Sequence, residues 1–512
     1  MAHHGWVQVL AEDSITPEGL KSPFGRLFGP TDSQYQSYAI SLLSGALGPI
    51  QRLNPAVKDA NPAGFTFLGQ FIDHDLTEFR VVGEQYSLIP QNPVIGQRQR
   101  VLEDGDPVST TNGRSGRLDL DSVYGLLGST QLSLFDDDGL FRLDGDTDIL
   151  RGSAFRNGRL IGDPRNDENK IIVQLHLLFE RLHNRLHAAA GGSAAQRGPG
   201  GASFLATRTE VQNAYRRIVL HDYLPRIVQW PQMRQVLDAL QTGRSHYQAM
   251  NGRCRAQLRA RGLPEAAVAD AVAMPVEFAH AVFRLGHTQL RNGYALNNNL
   301  SLPLFATGAG GVGDLRGNEP IVGNLVIDWA HFFDLGGGVI PQSGQPIDGV
   351  LPDSVFRLPP PAIGEPPISL AERNIRRGVD FGLPSGQEVA SRLSDRYGFI
   401  PQTTFDDLFP PELQQSYKEI LAVDPTLAWN TPLWYFVIRE ATKVPTSHLG
   451  PVGGLVVAET ILGSLFATDG FDLDAEVSRI QFESDGVTVR FPSGTVTTAG
   501  EIRSMAQLIN FL

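Results

Sequence analysis

The run Phe67-Leu-Gly-Gln-Phe-Ile-Asp-His-Asp-Leu-Thr77 sets one histidine between two aspartates, with a glutamine four residues before it. The segment reads as a helix over about 64–78. On that helix Gln70, Asp73 and His74 share a face, because positions three and four apart are neighbours. Asp75 points about 100° away, at about 3.6 residues per turn. One face can serve a reaction pocket while Asp75 serves something behind it. Taken alone, a buried histidine beside an aspartate also reads as a satisfied polar pair, so the rest of the chain has to decide.

The chain has 512 residues, 41% hydrophobic and 19% charged, the balance of an ordinary globular protein able to bury a large core. Its 54 glycines and 34 prolines point to many loops. A net charge of −12 argues against a nucleic-acid partner. The single cysteine, Cys254, excludes an intrachain disulfide and fits a reducing compartment. The first ten residues lack a basic stretch followed by an apolar one, and no apolar run reaches the length of about 18 residues that a membrane helix needs. The expectation is a cytoplasmic protein, or one exported by a non-classical route, with no membrane span.

Outward from the opening segment, residues 1–60 read as an arm or wrapping segment, 61–467 as one large domain, and 468–512 as a C-terminal extension. A helical pattern runs from about 166 to 190, others over 207–221, 228–241 and 264–290 (the last as one run or as two pieces broken by Pro275), and shorter ones near 385–394, 410–422, 430–441 and 452–466. Ile480-Gln-Phe-Glu and Val487-Thr-Val-Arg-Phe alternate around Asp485-Gly486, a β-hairpin pattern. The expected fold is mainly α, with long loops and little β.

Three further segments carry reactive residues at helical spacing. Gly162-Asp-Pro-Arg-Asn-Asp-Glu168 places Arg165 and Glu168 on one face at a helix start, where Pro164 is well suited. Phe278-Ala-His-Ala-Val-Phe-Arg-Leu-Gly-His-Thr-Gln289 places Arg284 and His287 on one face with Gly286 between them. Glycine inside a helix costs about 1 kcal/mol against alanine, so something large approaches the backbone there, a flat macrocycle or a neighbouring helix. Glu372-Arg-Asn-Ile-Arg-Arg-Gly-Val-Asp-Phe-Gly-Leu-Pro384 offers Asn374 and Arg377 on one face, or a solvated basic turn.

Taken together, in the order Gln/Asp/His, Arg/Glu, Arg/Gly/His and Asn/Arg, these segments resemble the animal-type haem peroxidases of the peroxidase–cyclooxygenase superfamily, from about Phe65 to Leu465. Leu118-Asp-Leu-Asp-Ser-Val-Tyr-Gly125, Tyr215-Arg-Arg-Ile-Val-Leu-His-Asp-Tyr-Leu-Pro225 and His448-Leu-Gly-Pro-Val-Gly453 add to the match. Without disulfides, the chain looks like a bacterial relative. The resemblance implies an enzyme that reduces hydrogen peroxide through a ferryl intermediate and oxidises small anions (iodide, thiocyanate, bromide) or phenolic and aromatic donors. It implies His74 as distal acid–base, Arg165 as distal arginine and Gln70 as the residue orienting water and anions. A free histidine pKa near 6.5 suits both acid and base roles. It implies His287 as iron ligand with Asn374 as its hydrogen-bond partner, and Arg284 and Arg377 near the haem propionates. Asp73 and Glu168 match the carboxylates that esterify a haem b derivative. Asn169, where one mammalian member has methionine, implies that the sulfonium link is absent, which weighs against chloride as a substrate. Asp75 matches a Ca2+ ligand, joined by Ser115, the Arg117 carbonyl, Asp119 and Asp121.

Fatty-acid dioxygenases of the same superfamily carry a radical tyrosine three residues before the proximal histidine; here that residue is Arg284, which weighs against that activity. A different class, a non-haem metallohydrolase, rests on His176, His183 and His187 along one helix face. A third, a structural relative with a broken site, finds no central residue missing.

Overall fold

A computed structural model describes residues 22–29, 31, 33–45, 47–53, 58–82, 110–125, 132–155, 158–306, 313–358 and 369–512, with the backbone of 8–10. Most of the N-terminal residues on which the export reading rests lie outside the described residues.

The described residues form a mainly helical body with a few two- and three-stranded sheets. Its principal helices are α1 (Ser37–Ser44), α2 (Gly64–Leu76), α3 (Lys170–Ala189), α4 (Ala202–Ile218), α5 (Trp230–Gln241) and α6 (His246–Ala260). They continue with α7 (Leu370–Asp380), α8 (Gly386–Tyr397), α9 (Gln414–Val423), α10 (Leu433–Ala441), α11 (Pro451–Phe466) and α12 (Met505–Phe511). α11 is the hub: nearly every side chain from Val452 to Leu465 is buried, and it packs against α5, α6, α8 and α10. A helix apolar all round has no face for water, so it takes the centre. No helix among the described residues is long and apolar enough to cross a membrane.

α2 forms where expected. Phe67, Leu68, Phe71, Ile72 and Leu76 bury one broad stripe at three- and four-residue spacing. The helix ends at Thr77, whose N–H still bonds the Asp73 carbonyl at 2.8 Å while its backbone turns extended. α2 packs on α3, on the 3-10 turn Pro164–Asp167 that carries Arg165, and on the 3-10 segment Val282–Gln289 that carries Arg284 and His287.

Several expectations need correction. The run expected as one helix from 166 to 190 is a 3-10 turn, Pro164–Asp167, followed by α3. The Asp163 carboxylate caps the turn and the Asn169 amide caps α3, so two caps replace one start. The run at 264–290 is a short helix Glu265–Asp270, a strand Met274–Pro275, a helix Val276–His280 and the 3-10 segment Val282–Gln289. Met274–Pro275 is drawn out as a strand by pairing in parallel with Phe24–Gly25 of the N-terminal arm, and Ala281, at φ −140° and ψ −74°, breaks the remainder. Helices α1, α6 and α12 were not anticipated. The hairpin is present as Gln481–Phe482 against Val489–Arg490.

Both ends of the chain are stitched to the body. Arg26 donates to the carbonyls of Phe381 and Gly382 at 2.7 and 2.9 Å, and the Glu277 carboxylate accepts the N–H groups of Leu27 and Phe28 at 3.0 and 3.2 Å. At the other end Arg217 donates to the carbonyls of Ala499 and Ile502, and Asp222 accepts the N–H of Met505.

Candidate active site

α2 presents Gln70, Asp73 and His74 along one side, toward the 3-10 segment that carries Arg284 and His287. His74 is fully buried. Its Nδ1 lies 2.8 Å from Asn166 Oδ1. An amide oxygen only accepts, so Nδ1 carries the proton and Nε2 keeps its lone pair. Asn166 Nδ2 in turn donates to His176 Nδ1 at 3.0 Å, and His176 Nε2 donates to Glu180 Oε1 at 3.1 Å. These four buried groups form one chain of mutually consistent hydrogen bonds, and each fixes the tautomer of the next.

His74 does not keep the ordinary imidazole pKa expected of it. Burial, then the nearby Arg165 guanidinium, hold it down to about 3, so its side chain is neutral at physiological pH.

Arg165 sits behind the histidine. Its Nη2 donates to the His74 carbonyl at 2.8 Å and its Nη1 to the Thr77 carbonyl at 2.7 Å, while Nε and Nη2 grip Asp163. It caps the carbonyl end of α2, where positive charge is favoured. Asp163 is held well below the usual carboxylate range against its own burial by Arg114 and Arg165. Glu168, half-buried, ends the 3-10 turn one turn on from Arg165, its N–H on the Arg165 carbonyl at 3.3 Å.

Opposite, His287 Nδ1 sits against the side-chain amide of Asn374, 3.1 Å from Oδ1 and 2.9 Å from Nδ2. With the amide oxygen accepting from Nδ1–H, Nε2 is left as the donor atom for a metal. Asn374 is fully buried on α7, so the solvated basic turn is not what this segment forms. Burial, then Arg284, hold His287 down to about 3. Arg284 reaches Asn374 Oδ1 at 3.5 Å, and its backbone carbonyl accepts from Trp434 Nε1 at 3.3 Å. Arg377 stacks over Phe79 and Phe381 at 4.6 and 4.9 Å and touches His280 Nδ1 at 3.4 Å.

Asp73 links the two sides. Burial pushes its carboxyl up, and Arg284, Arg165 and Arg377 pull it back. Arginines from the distal turn, the 3-10 segment and α7 thus converge electrostatically on one carboxylate. Two features fit a flat macrocycle between these elements. A Cβ added to Gly286 would meet no heavy atom within 4 Å, so no neighbouring helix crowds that backbone. Gln70 Nε2 is buried with no hydrogen-bond partner, a donor awaiting an acceptor.

Asp75 points to the other side of α2. Its carboxylate accepts Leu120 N at 3.1 Å and Ser122 N at 3.3 Å, pinning a loop in which Leu120 adopts a left-handed φ of 56°. Asp75, Asp119 and Asp121 can each offer an oxygen within 4.8 Å of the others, a group of candidate cation ligands. Burial, then Asp119, push Asp75 up to about 7, and burial drives Asp121 up as well. Ser115 lies in the same loop, its N–H on Asp121 Oδ2 at 2.8 Å and its Oγ accepting from Arg117 N at 3.1 Å. The Arg117 side chain leaves the loop for Asp270.

The three histidines of α3 do not converge on a metal. His183 accepts or donates at Tyr124 Oη (3.0 Å) and donates to the Gly139 carbonyl (3.0 Å). His187 engages Thr207 and the carbonyls of Asp138 and Arg197, and His176 belongs to the Asn166 chain. That geometry removes the metallohydrolase reading. Sequence reasoning missed Asn166 and Glu180. The only trace of them was the His176/Glu180 spacing of four on a buried helix face.

A family model described as animal haem peroxidase matches residues 57–431. No curated protein sequence matches the chain. Among solved structures, peroxidase A from Dictyostelium discoideum is 17% identical over 87% of this chain and 87% of that one, with a TM-score of 0.55. The fatty acid alpha-dioxygenase of Oryza sativa is 14% identical over 96% and 80%, at 0.56, and that of Arabidopsis thaliana 13% identical over 96% and 77%, at 0.54. At these identities the likeness is one of fold.

Proposed function

The chain belongs to the animal haem peroxidase family, and on that footing we propose that it is a peroxidase that reduces hydrogen peroxide and oxidises small anions or phenolic donors. The observation that carries this is the pairing of a neutral, Asn166-oriented His74 with an Asn374-oriented His287 on two elements packed together. The family implies haem. His287 Nε2 would hold its iron, Asp73 and Glu168 would offer ester links, and Arg284 and Arg377 would face the propionates. When bound, haem supplies the redox chemistry with peroxide.

The protein's own residues handle the proton. His74 Nε2, unprotonated at neutral pH, takes the proton of the incoming peroxide and returns it to the departing oxygen. Asn166 keeps the ring in the tautomer that leaves Nε2 basic. Arg165, bonded to the His74 carbonyl and to Asp163, contributes positive potential beside His74. Gln70 Nε2 offers a donor to water or a small anion beside His74. Behind the helix, the Asp75, Asp119 and Asp121 carboxylates, with Ser115 and the Arg117 carbonyl, suit Ca2+, whose charge would relieve their crowding.

Fatty-acid dioxygenation is the competing activity within the superfamily, since both kinds of enzyme share this fold. Arg284 is a half-buried guanidinium where that chemistry needs a phenol. Haem-loaded protein is expected to turn over peroxide with iodide or a phenol and to take up no oxygen with palmitate. Oxygen uptake with the fatty acid, and no peroxide turnover, would reverse the assignment.

A further inference from the structure

A cleft of about 770 Å³ opens between the arm at Leu27–Gly29, the end of α5, the start of α6 and the end of α8. It contains none of the residues placed around His74 and His287. Arg244, Arg253, Arg392 and Arg396 line it, against only Asp238 and Asp395. In a chain of net charge −12 this is a local reversal of sign, and a low-dielectric cleft focuses such a field.

The pairing of these arginines matters more than their number. Arg392 is paired with Glu388, and Arg253 donates to the Arg26 carbonyl. Arg244 and Arg396 likewise bond neutral oxygens, the Thr242 hydroxyl and the Arg244 carbonyl. The same cleft is lined by His246, whose Nε2 is buried with no hydrogen-bond partner. Burial, then Arg396, Arg253 and Arg392, hold this histidine down to about 4, so three guanidinium groups act on one ring. The first N–H groups of α6 are not available to a ligand: His246 N and Tyr247 N donate to the Glu459 carboxylate at 2.8 and 3.0 Å. Any anion must therefore be met by side chains. Apart from Gln235, the rest of the wall is Leu27, Phe28, Gly29, Ala239 and Tyr397, with Phe28 edge-on to His246 at 5.1 Å and Tyr397 at 6.1 Å from it.

We propose that this cleft binds a small organic polyanion, its phosphate or carboxylate groups on Arg244 and Arg396 and its apolar ring or chain against Phe28 and Tyr397, with His246 Nε2 as the neutral contact. Guanidinium forks pair in two-bond fashion with both phosphate and carboxylate. The volume falls in the range of small-molecule sites, about 300–1,000 Å³, and exceeds what a lone inorganic anion fills. The proposal stands apart from the peroxidase reading.

Haem-loaded protein titrated calorimetrically with 1-naphthyl phosphate and, separately, with inorganic pyrophosphate tests it. Naphthyl phosphate is expected to bind one per chain, more tightly than pyrophosphate, and more weakly as salt rises. The exposed pair Arg244→Gln/Arg396→Gln should lose about tenfold or more in affinity, the scale of charge-assisted hydrogen bonds, with the haem spectrum unchanged. His246→Leu, which keeps every arginine, should weaken naphthyl phosphate as well. Failure of both probes to bind, binding that the arginine variant leaves untouched, or pyrophosphate binding as tightly as naphthyl phosphate would each overturn the assignment.

Discussion

His74 and Asn166, 92 residues apart in sequence, are joined by a 2.8 Å hydrogen bond that decides which nitrogen of the histidine is basic. Asn166→Leu removes the acceptor and lets the ring take either tautomer. The bimolecular reaction with peroxide should slow by about 10-fold or more, the usual scale for partners that orient a reactive imidazole. Haem binding should be unaffected. Stopped-flow absorbance in the Soret region gives the rate, and a wild-type rate would remove Asn166 from this role.

His74→Ala deletes the acid–base group itself. The same stopped-flow reaction should slow by roughly 10²-fold or more. The haem spectrum should persist, because His287 and Asn374 lie on other elements. An unchanged rate would mean that another group moves the proton.

Asp73→Val should leave haem bound but release one of its two proposed covalent links. Extraction with acidified organic solvent should then recover more haem than from the parent, and mass spectrometry of the haem peptide should find attachment at Glu168 alone. Equal extractability from the two proteins would count against an ester at Asp73.

Calcium removal should loosen α2 through Asp75. A cation present at 100 times its dissociation constant stabilises the fold by about 2.7 kcal/mol. Chelation with EGTA should lower the midpoint of thermal unfolding, and added Ca2+ should restore it. Asp121→Ala should abolish that response, and a chelator-insensitive midpoint in the parent would argue against a site there.

His183 gives a pH signature away from the candidate site. Burial first, then its charged neighbours, hold it down to about 3, against about 6.5 in an unfolded chain. Between those values the unfolded state carries a proton that the folded state refuses, so stability falls as pH drops from 6.5 toward 3. His183→Gln should flatten the dependence of the unfolding midpoint on pH between about 4.5 and 6, by up to one proton's worth, about 1.4 kcal/mol per pH unit. Parallel profiles for parent and variant would show that His183 titrates normally.

The parts of the site that could be read from sequence were those written in short-range spacing. Gln70, Asp73 and His74 lie on one helical turn, and α2 is stable enough in its apolar stripe to hold them there. Asp75 faces the opposite way for the same reason. Asn166 escaped because its partners are set by the packing of α3 on α2, which no local pattern encodes. Arg165 is legible from its motif position, but its anchoring by the carbonyls ending α2 and the Asp163 carboxylate depends on how the turn packs against α2. Around His287, periodicity suggested a helix and tertiary pairing decided otherwise, since Met274–Pro275 is claimed by a strand 250 residues upstream. α6 was overlooked although Tyr247, Met250, Cys254 and Leu258 make a regular buried stripe, because polar and basic residues surround it.

The stitching of Arg26, Leu27 and Phe28 to Glu277, Phe381 and Gly382 bears on the order in which the molecule is completed. During synthesis the elements around His74, residues 64–180, emerge early and can settle against one another. The arm must wait, threaded past them, until residues 274–289 and then 381–382 leave the ribosome. The contacts that fasten the arm are therefore later to form than those that can gather around His74.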